Sequence, residues 1–250
     1  MLKFLRWGLG AVLASQLLVA TAAVAEDGLA GAVPQAKDVD AQGWWVVKDD
    51  TRRNIHAYAR QEDDKRVRSF RVDGLIEGKA EDLMQVLLDF ENYKKWFWAV
   101  REARLVKRVS PTEYYVYIVH KAPYPVADRD TVLHAKVKPQ SRNDKRVILS
   151  VSAAPDYMPV QPSLVRMAAE EFTVIFTPVA GGKIETQVSG YIDPGGRVPA
   201  WAANFVQRSA PYHTMRGLQR MVQKPEEIEH RQELPFPVFN FDDLDKIADR

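Results

Sequence analysis

Cysteine is absent from all 250 residues. That excludes disulfides, a lipobox-type lipid anchor and a thiol nucleophile, so a core without covalent cross-links must hold the fold. A dominant charge sign is missing too. Lys and Arg number 35 against 33 Asp and Glu, a formal net charge of +2 with the signs interspersed, which speaks against a protein built for nucleic acid. No serine sits in a G-x-S-x-G elbow. Gly181-Gly182 and Gly195-Gly196 read as turns and fit no phosphate-binding loop. His56, His120, His134, His213 and His230 are scattered, with no recognised metal-ligand spacing among them. Neither a metal nor another cofactor is expected. No internal repeat is visible.

Beyond the first 25 residues there is no apolar run long enough to cross a bilayer. Those 25 read as a cleavable secretory leader. Lys3 and Arg6 supply the positive start, Leu9–Ala23 the apolar stretch, and Ala23-Val24-Ala25 the small-x-small cleavage pattern. Cleavage after Ala25 places the mature protein in the periplasm or outside the cell. The organisation expected is a signal peptide at 1–25, a flexible segment at 26–43, one domain at 44–223 and an acidic, Pro-containing tail at 224–250.

Within the domain, short strands are predicted at Trp44–Lys48 and Asn54–Arg60, then a strand at Arg68–Glu77 and a helix at Ala80–Phe90. The helix carries Leu83, Val86, Leu87 and Phe90 on one face. Tyr93, Trp96, Phe97 and Trp98 follow in an aromatic connector that reads as core or rim. Strands are predicted at Val100–Val109, Glu113–Lys121, Asp130–Pro139 and Arg146–Ala154, linked by turn signals. Pro155–Ser163 is an apolar loop. Leu164–Pro178 and Lys183–Asp193 form a hairpin around Gly181-Gly182. A long helix follows Pro199, with apolar residues at Val198, Trp201, Ala202, Phe205, Val206, Tyr212, Met215, Leu218 and Val222. Pro211 inside it predicts a kink and two halves. The order implies an α+β fold in which one antiparallel sheet wraps around the last helix.

Three segments carry a family resemblance: LMQVLLDFENYKKWFWAVREARLV, PYPVADRDTVLHAKV and DPGGRVPAWAANFVQRSAPYHTMRGL. The first resembles the helix-and-strand opening of the START/polyketide-cyclase (SRPBCC) superfamily. The second resembles the proline turn and Asp-Arg-Asp strand start of START (StAR-related lipid transfer) domains, and the third their final turn and helix. They keep the family order and span Trp44 to Val222. The resemblance implies a helix-grip fold: a curved antiparallel sheet clasping the C-terminal helix around an apolar tunnel for one lipid. Some cholesterol-binding START domains hold an acid–Arg pair in that tunnel. Its places fall near Val116 and Ala135 here, which argues against sterol binding of that type.

Tunnel candidates follow. Tyr115 and Tyr117 share one face of a strand and can offer hydroxyls to a head group, or serve as plain core. Arg129, in Asp128-Arg129-Asp130, either enters the tunnel to pair with a lipid phosphate or carboxylate, or is neutralised by its flanking acids in an ion-pair lock. His134 either reaches the cavity or is an ordinary core imidazole. Tyr157 and Met158 lie in the loop whose position matches the family's gate. Trp201, Phe205, Tyr212 and Met215 lie on the helix stripe, which any core-facing helix would also show. Arg197, Arg208, Arg216, Arg220 and Lys224 make that helix basic, suited to contact with anionic membrane or to a solvated back paired with the tail.

A sixteen-carbon chain in water costs roughly 13 kcal/mol at about 0.8 kcal/mol per methylene. Carrying one needs apolar walls, a gate and a few head-group donors, not a nucleophile. The expected function is binding and transfer of a single lipid or other hydrophobic small molecule in the cell envelope, without catalysis. The alternatives are a cyclase- or hydrolase-like enzyme of the same superfamily, with tunnel groups as acid and base, and a ligand-sensing envelope protein that holds a partner with its tail.

Overall fold

The computed structural model describes residues 39–65, 67–228 and 231–247, apart from the side chains at 200, 201, 204 and 227. The leader expected at 1–25 lies outside the described residues. Ten strands form one curved sheet: β1 (Trp45–Asp50), β2 (Ile55–Arg60), β3 (Ser69–Glu77), β4 (Val100–Ser110), β5 (Glu113–His120), β6 (Arg129–Lys138), β7 (Val147–Ala153), β8 (Val165–Arg166), β9 (Ala169–Val179) and β10 (Lys183–Asp193). The spatial order is β1-β2-β3-β10-β9-β7-β6-β5-β4, with β8 attached to β6. Every pairing is antiparallel except β6–β8, where Arg129 faces Val165 and Asp130 faces Arg166. The β9–β10 hairpin turns at Gly181 and Gly182, whose φ of 78° and 65° favour glycine.

Helix α1 (Ala80–Leu88) buries Leu83, Met84, Val86 and Leu87, and Glu81 and Asp82 sit in its first turn, where the helix dipole favours negative charge. It stops before Phe90, and a 3-10 helix over Phe90–Lys95 continues the chain. There the Tyr93 hydroxyl donates to the Leu87 carbonyl at 2.6 Å. The ring of Tyr93 packs edge-on against Trp96, centroids 5.0 Å apart.

Helix α2 (Ala200–Gln223) lies across the sheet as one element and runs through Pro211, rather than as the two halves that proline suggests. Two close approaches seat it. A Cβ on Gly74 would stand 2.7 Å from the Met215 Sδ, and one on Gly217 would stand 2.2 Å from the Trp96 carbonyl oxygen. Gln219 then donates to the carbonyls of Arg53 and Leu75, at 2.8 and 2.9 Å.

Two further differences from the sequence reading have physical causes. The strand expected from Leu164 is split, because Val165 and Arg166 pair with β6 before β9 begins at Ala169. The tail is not separate from the body. Ile228, Phe236 and Val238 are buried in the main core. The tail is also tied by hydrogen bonds: Asn240 Oδ1 accepts from the Ala80 amide at 2.9 Å, and the Phe239 amide donates to Gln140 Oε1 at 2.7 Å.

Candidate functional site

Strand alternation gives the sheet an inner face toward α1 and α2 and an outer face away from them. Tyr114, Val116 and Ile118 of β5 face inward together with Leu133, Ala135 and Val137 of β6. With Met84 and Leu87 of α1 and Met215 and Leu218 of α2, they enclose a cavity of about 110 Å³ whose walls are almost wholly hydrocarbon.

A second cavity, of about 140 Å³, adjoins it. Phe70, Phe97, Ile192, Ala210 and Pro211 stand in the walls of both. Ala202, Ala203, Val206 and Gln207 line it from α2, and Pro123 and Val126 from the loop that holds the cis Tyr124–Pro125 peptide. This chamber is apolar over most of its surface, yet Arg68, His120, Arg129 and Glu170 also line it. Glu170 is 1% exposed, and its Oε2 has no hydrogen-bond partner among the described residues. The His120 Nε2 lies 3.9 Å from it, also without a hydrogen bond. Burial pushes the Glu170 carboxyl up to about 7 and the His120 imidazole down to about 4, so both favour their neutral forms.

Arg129 is 6% exposed and turns inward, while its sequence neighbours turn outward. Asp128 pairs with Arg101 and accepts the Ala122 amide at 3.0 Å. Asp130 is held by Arg166, and the Tyr117 hydroxyl donates to it at 3.2 Å. The flanking acids therefore form no ion pair with Arg129, contrary to the ion-pair-lock reading. Among the described residues its guanidinium donates only to backbone carbonyls, those of Ala127 and, from Nε at 3.4 Å, Pro194. Burial lowers its pKa from the usual value, which a guanidinium tolerates while staying charged.

Of the tunnel candidates, Arg129 and Met215 line the cavities. Tyr115, Tyr117 and His134 lie on the opposite face, because the inward phase of β5 is that of Tyr114. The Tyr115 ring stacks on His134 at 4.5 Å and on Tyr157 at 3.9 Å, and His134 bonds to Glu113 at 2.6 Å. Met158 packs with them on a satellite core built around Tyr117, Val119 and Val132. The loop carrying Tyr157 and Met158 thus covers the outer face of the sheet instead of gating the cavity. Arg166 pins it there by donating to the carbonyls of Pro155, Met158 and Pro159. Phe205 is exposed at the rim, 5.9 Å from the Trp98 ring. Tyr212 turns toward β1 and donates to Asp50 Oδ2 at 2.6 Å. The Trp201 side chain falls outside the described residues.

The sequence reading did not place Arg68, His120, Glu170 and Gln207 in the cavity. Alternation from Arg129 would have separated it from Asp128 and Asp130, but no sequence signal linked it to Glu170, 41 positions away. Among the described residues no group of three His, Asp or Glu side chains is placed to hold a metal ion.

The START domain family model matches residues 31–228. The uncharacterized protein PA1579 of Pseudomonas aeruginosa is 26% identical over 184 residues, covering 74% of this chain and 89% of that protein. A crystal structure of the STAR-related lipid transfer protein fragment from Xanthomonas axonopodis superposes with a TM-score of 0.66 at 29% identity, over 72% of this chain and 99% of that one. Human STARD10, at 20% identity, shares the fold with a TM-score of 0.64, over 78% and 82% of the two chains. With a family match across most of its length and the sheet and helix arrangement described above, the chain belongs to the START domain family.

Proposed function

We propose that this protein binds a single lipid or other hydrophobic small molecule inside the sheet and transfers it within the cell envelope. The observation that carries the reading is the hydrocarbon-lined cavity under α2, continuous in its walls with a second chamber that has a few polar groups. Apolar walls make exchange from a bilayer nearly neutral in free energy. The leader read at 1–25 supports an envelope location. The rim supports contact with anionic membrane: Tyr124 is 94% exposed, Phe205 is exposed, and α2 has Arg208, Arg216 and Arg220 on its surface with no acidic residue along its length. No helix of the described residues is long and apolar enough to cross a membrane.

Transfer is tested with fluorescent lipid moving from donor to acceptor vesicles. Acceleration that rises with protein concentration supports it, and a rate equal to the protein-free control refutes it. The buried Glu170–His120 pair favours one second reading, acid–base catalysis in the same chamber. A bound molecule recovered chemically altered by the native protein, and unaltered by Glu170→Gln, would support that reading. Identical recovery from both proteins would rule it out.

A further inference from the structure

The two chambers differ in a way that binding a plain hydrocarbon does not need. The first is lined by carbon; the second brings buried charge to an otherwise apolar wall. A buried cation costs several kcal/mol unless an anion compensates it. Arg129 is such a cation. It makes no ion pair among the described residues, and its Nη2 has no protein acceptor there. Its nearest acids in sequence are committed to Arg101 and Arg166. Arg68 reaches the same chamber from beside β3, with its guanidinium 5.2 Å from the centre of the Trp45 ring. Between about pH 4 and pH 7, Glu170 and His120, the other titratable side chains buried in the wall, favour their neutral forms and leave the charge of Arg129 in place.

We propose that this chamber is a head-group site that takes the oxyanion of an acidic amphiphile, a carboxylate or a phosphate, on Arg129 and Arg68, while the hydrocarbon part lies in the adjoining apolar chamber past Phe70 and Pro211. This rests on the lipid-binding reading above and narrows it to one ligand class. A guanidinium with a free edge matches the paired oxygens of either group. The neutral Glu170 carboxyl and the Gln207 side chain, whose Oε1 is buried without a partner, stand in the same wall as further polar contacts.

The test titrates the purified chain, without its leader, with dodecanoic acid, dodecyl phosphate, dodecanol and inorganic phosphate at about pH 6, where Glu170 is mostly neutral and both amphiphiles are anionic. The acid and the dodecyl phosphate are expected to bind at least about tenfold more tightly than the alcohol, the worth of one charge-assisted hydrogen bond. Inorganic phosphate is expected not to bind measurably. Arg129→Gln should lower affinity for the two anions about tenfold and so narrow or abolish the preference for the acid over the alcohol. Should that variant fail to fold, the comparison of acid with alcohol on the native protein decides by itself. Equal affinity for acid and alcohol overturns the head-group site and leaves the lipid-binding reading standing. Inorganic phosphate binding as tightly as dodecyl phosphate overturns it in favour of a free-anion site. Binding of none of the four overturns both readings.

Discussion

Arg166 grips the buried carboxylate of Asp130 with two hydrogen bonds, Nε to Oδ1 at 3.0 Å and Nη2 to Oδ2 at 2.9 Å. That single contact separates the two sides of the sheet. It fastens the loop after β7 to the outer face, and it withdraws from Arg129 the acid that sequence proximity would have given it.

Asp130→Asn therefore strands a largely buried guanidinium. Removing one partner of a buried pair costs about 3–5 kcal/mol, and urea unfolding should show a loss of that order. Asp156→Asn, at an exposed position on the same loop, should stay within about 0.5 kcal/mol of the native protein. Equal stabilities for the two variants would remove Asp130 from its locking role.

Ala210 stands in the walls of both cavities, so Ala210→Trp puts an indole where they meet. We expect uptake of a dodecyl-chain ligand to fall at least about tenfold while the far-ultraviolet circular dichroism spectrum stays native. Undiminished uptake by a folded variant would place the ligand elsewhere.

A chain ending at Gln223 loses the buried Ile228, Phe236 and Val238. At about 1.5–3 kcal/mol for each large buried apolar side chain, the truncated protein should be less stable by on the order of 5 kcal/mol. An unchanged melting temperature would show that the tail only rests on the body.

The buried Glu170–His120 pair gives a pH signature of known sign. Glu170 is raised from 4.5 to about 7, so its contribution to stability is complete below about pH 4.5 and is lost as pH rises through 7. His120 is lowered from 6.5 to about 4, so its contribution is present above about pH 6.5 and is lost as pH falls through 4. Glu170→Gln removes only the first effect. Relative to the native protein, it should gain on the order of 3 kcal/mol between about pH 4 and pH 8. A difference independent of pH would mean that Glu170 is not buried in this way.

The architecture was legible in the chain because its elements alternate or repeat strongly. The turn at Gly181-Gly182, the periodic α1 and the strands from Val100 to Ala153 all fall within a residue or two of their expected limits. The site was less legible, for a reason visible in β5. Tyr114, Val116 and Ile118 are apolar on one face, and Tyr115, Tyr117 and Val119 on the other, so alternation gives a period without a direction. The outer set packs against its own satellite core, which a reading based on one core could not foresee. The tail shows the same limit: Phe236 and Val238 lie in a proline-rich stretch with no periodicity, and only tertiary packing puts them inside.

The central claim is that the space under α2 holds a ligand. Native mass spectrometry of the protein purified from the cells that make it, followed by solvent extraction, tests it most directly. A one-to-one adduct is expected, whose extract is a lipid or other hydrophobic molecule with an acidic head. A clean apo mass, with no uptake from added lipid extract, would contradict it.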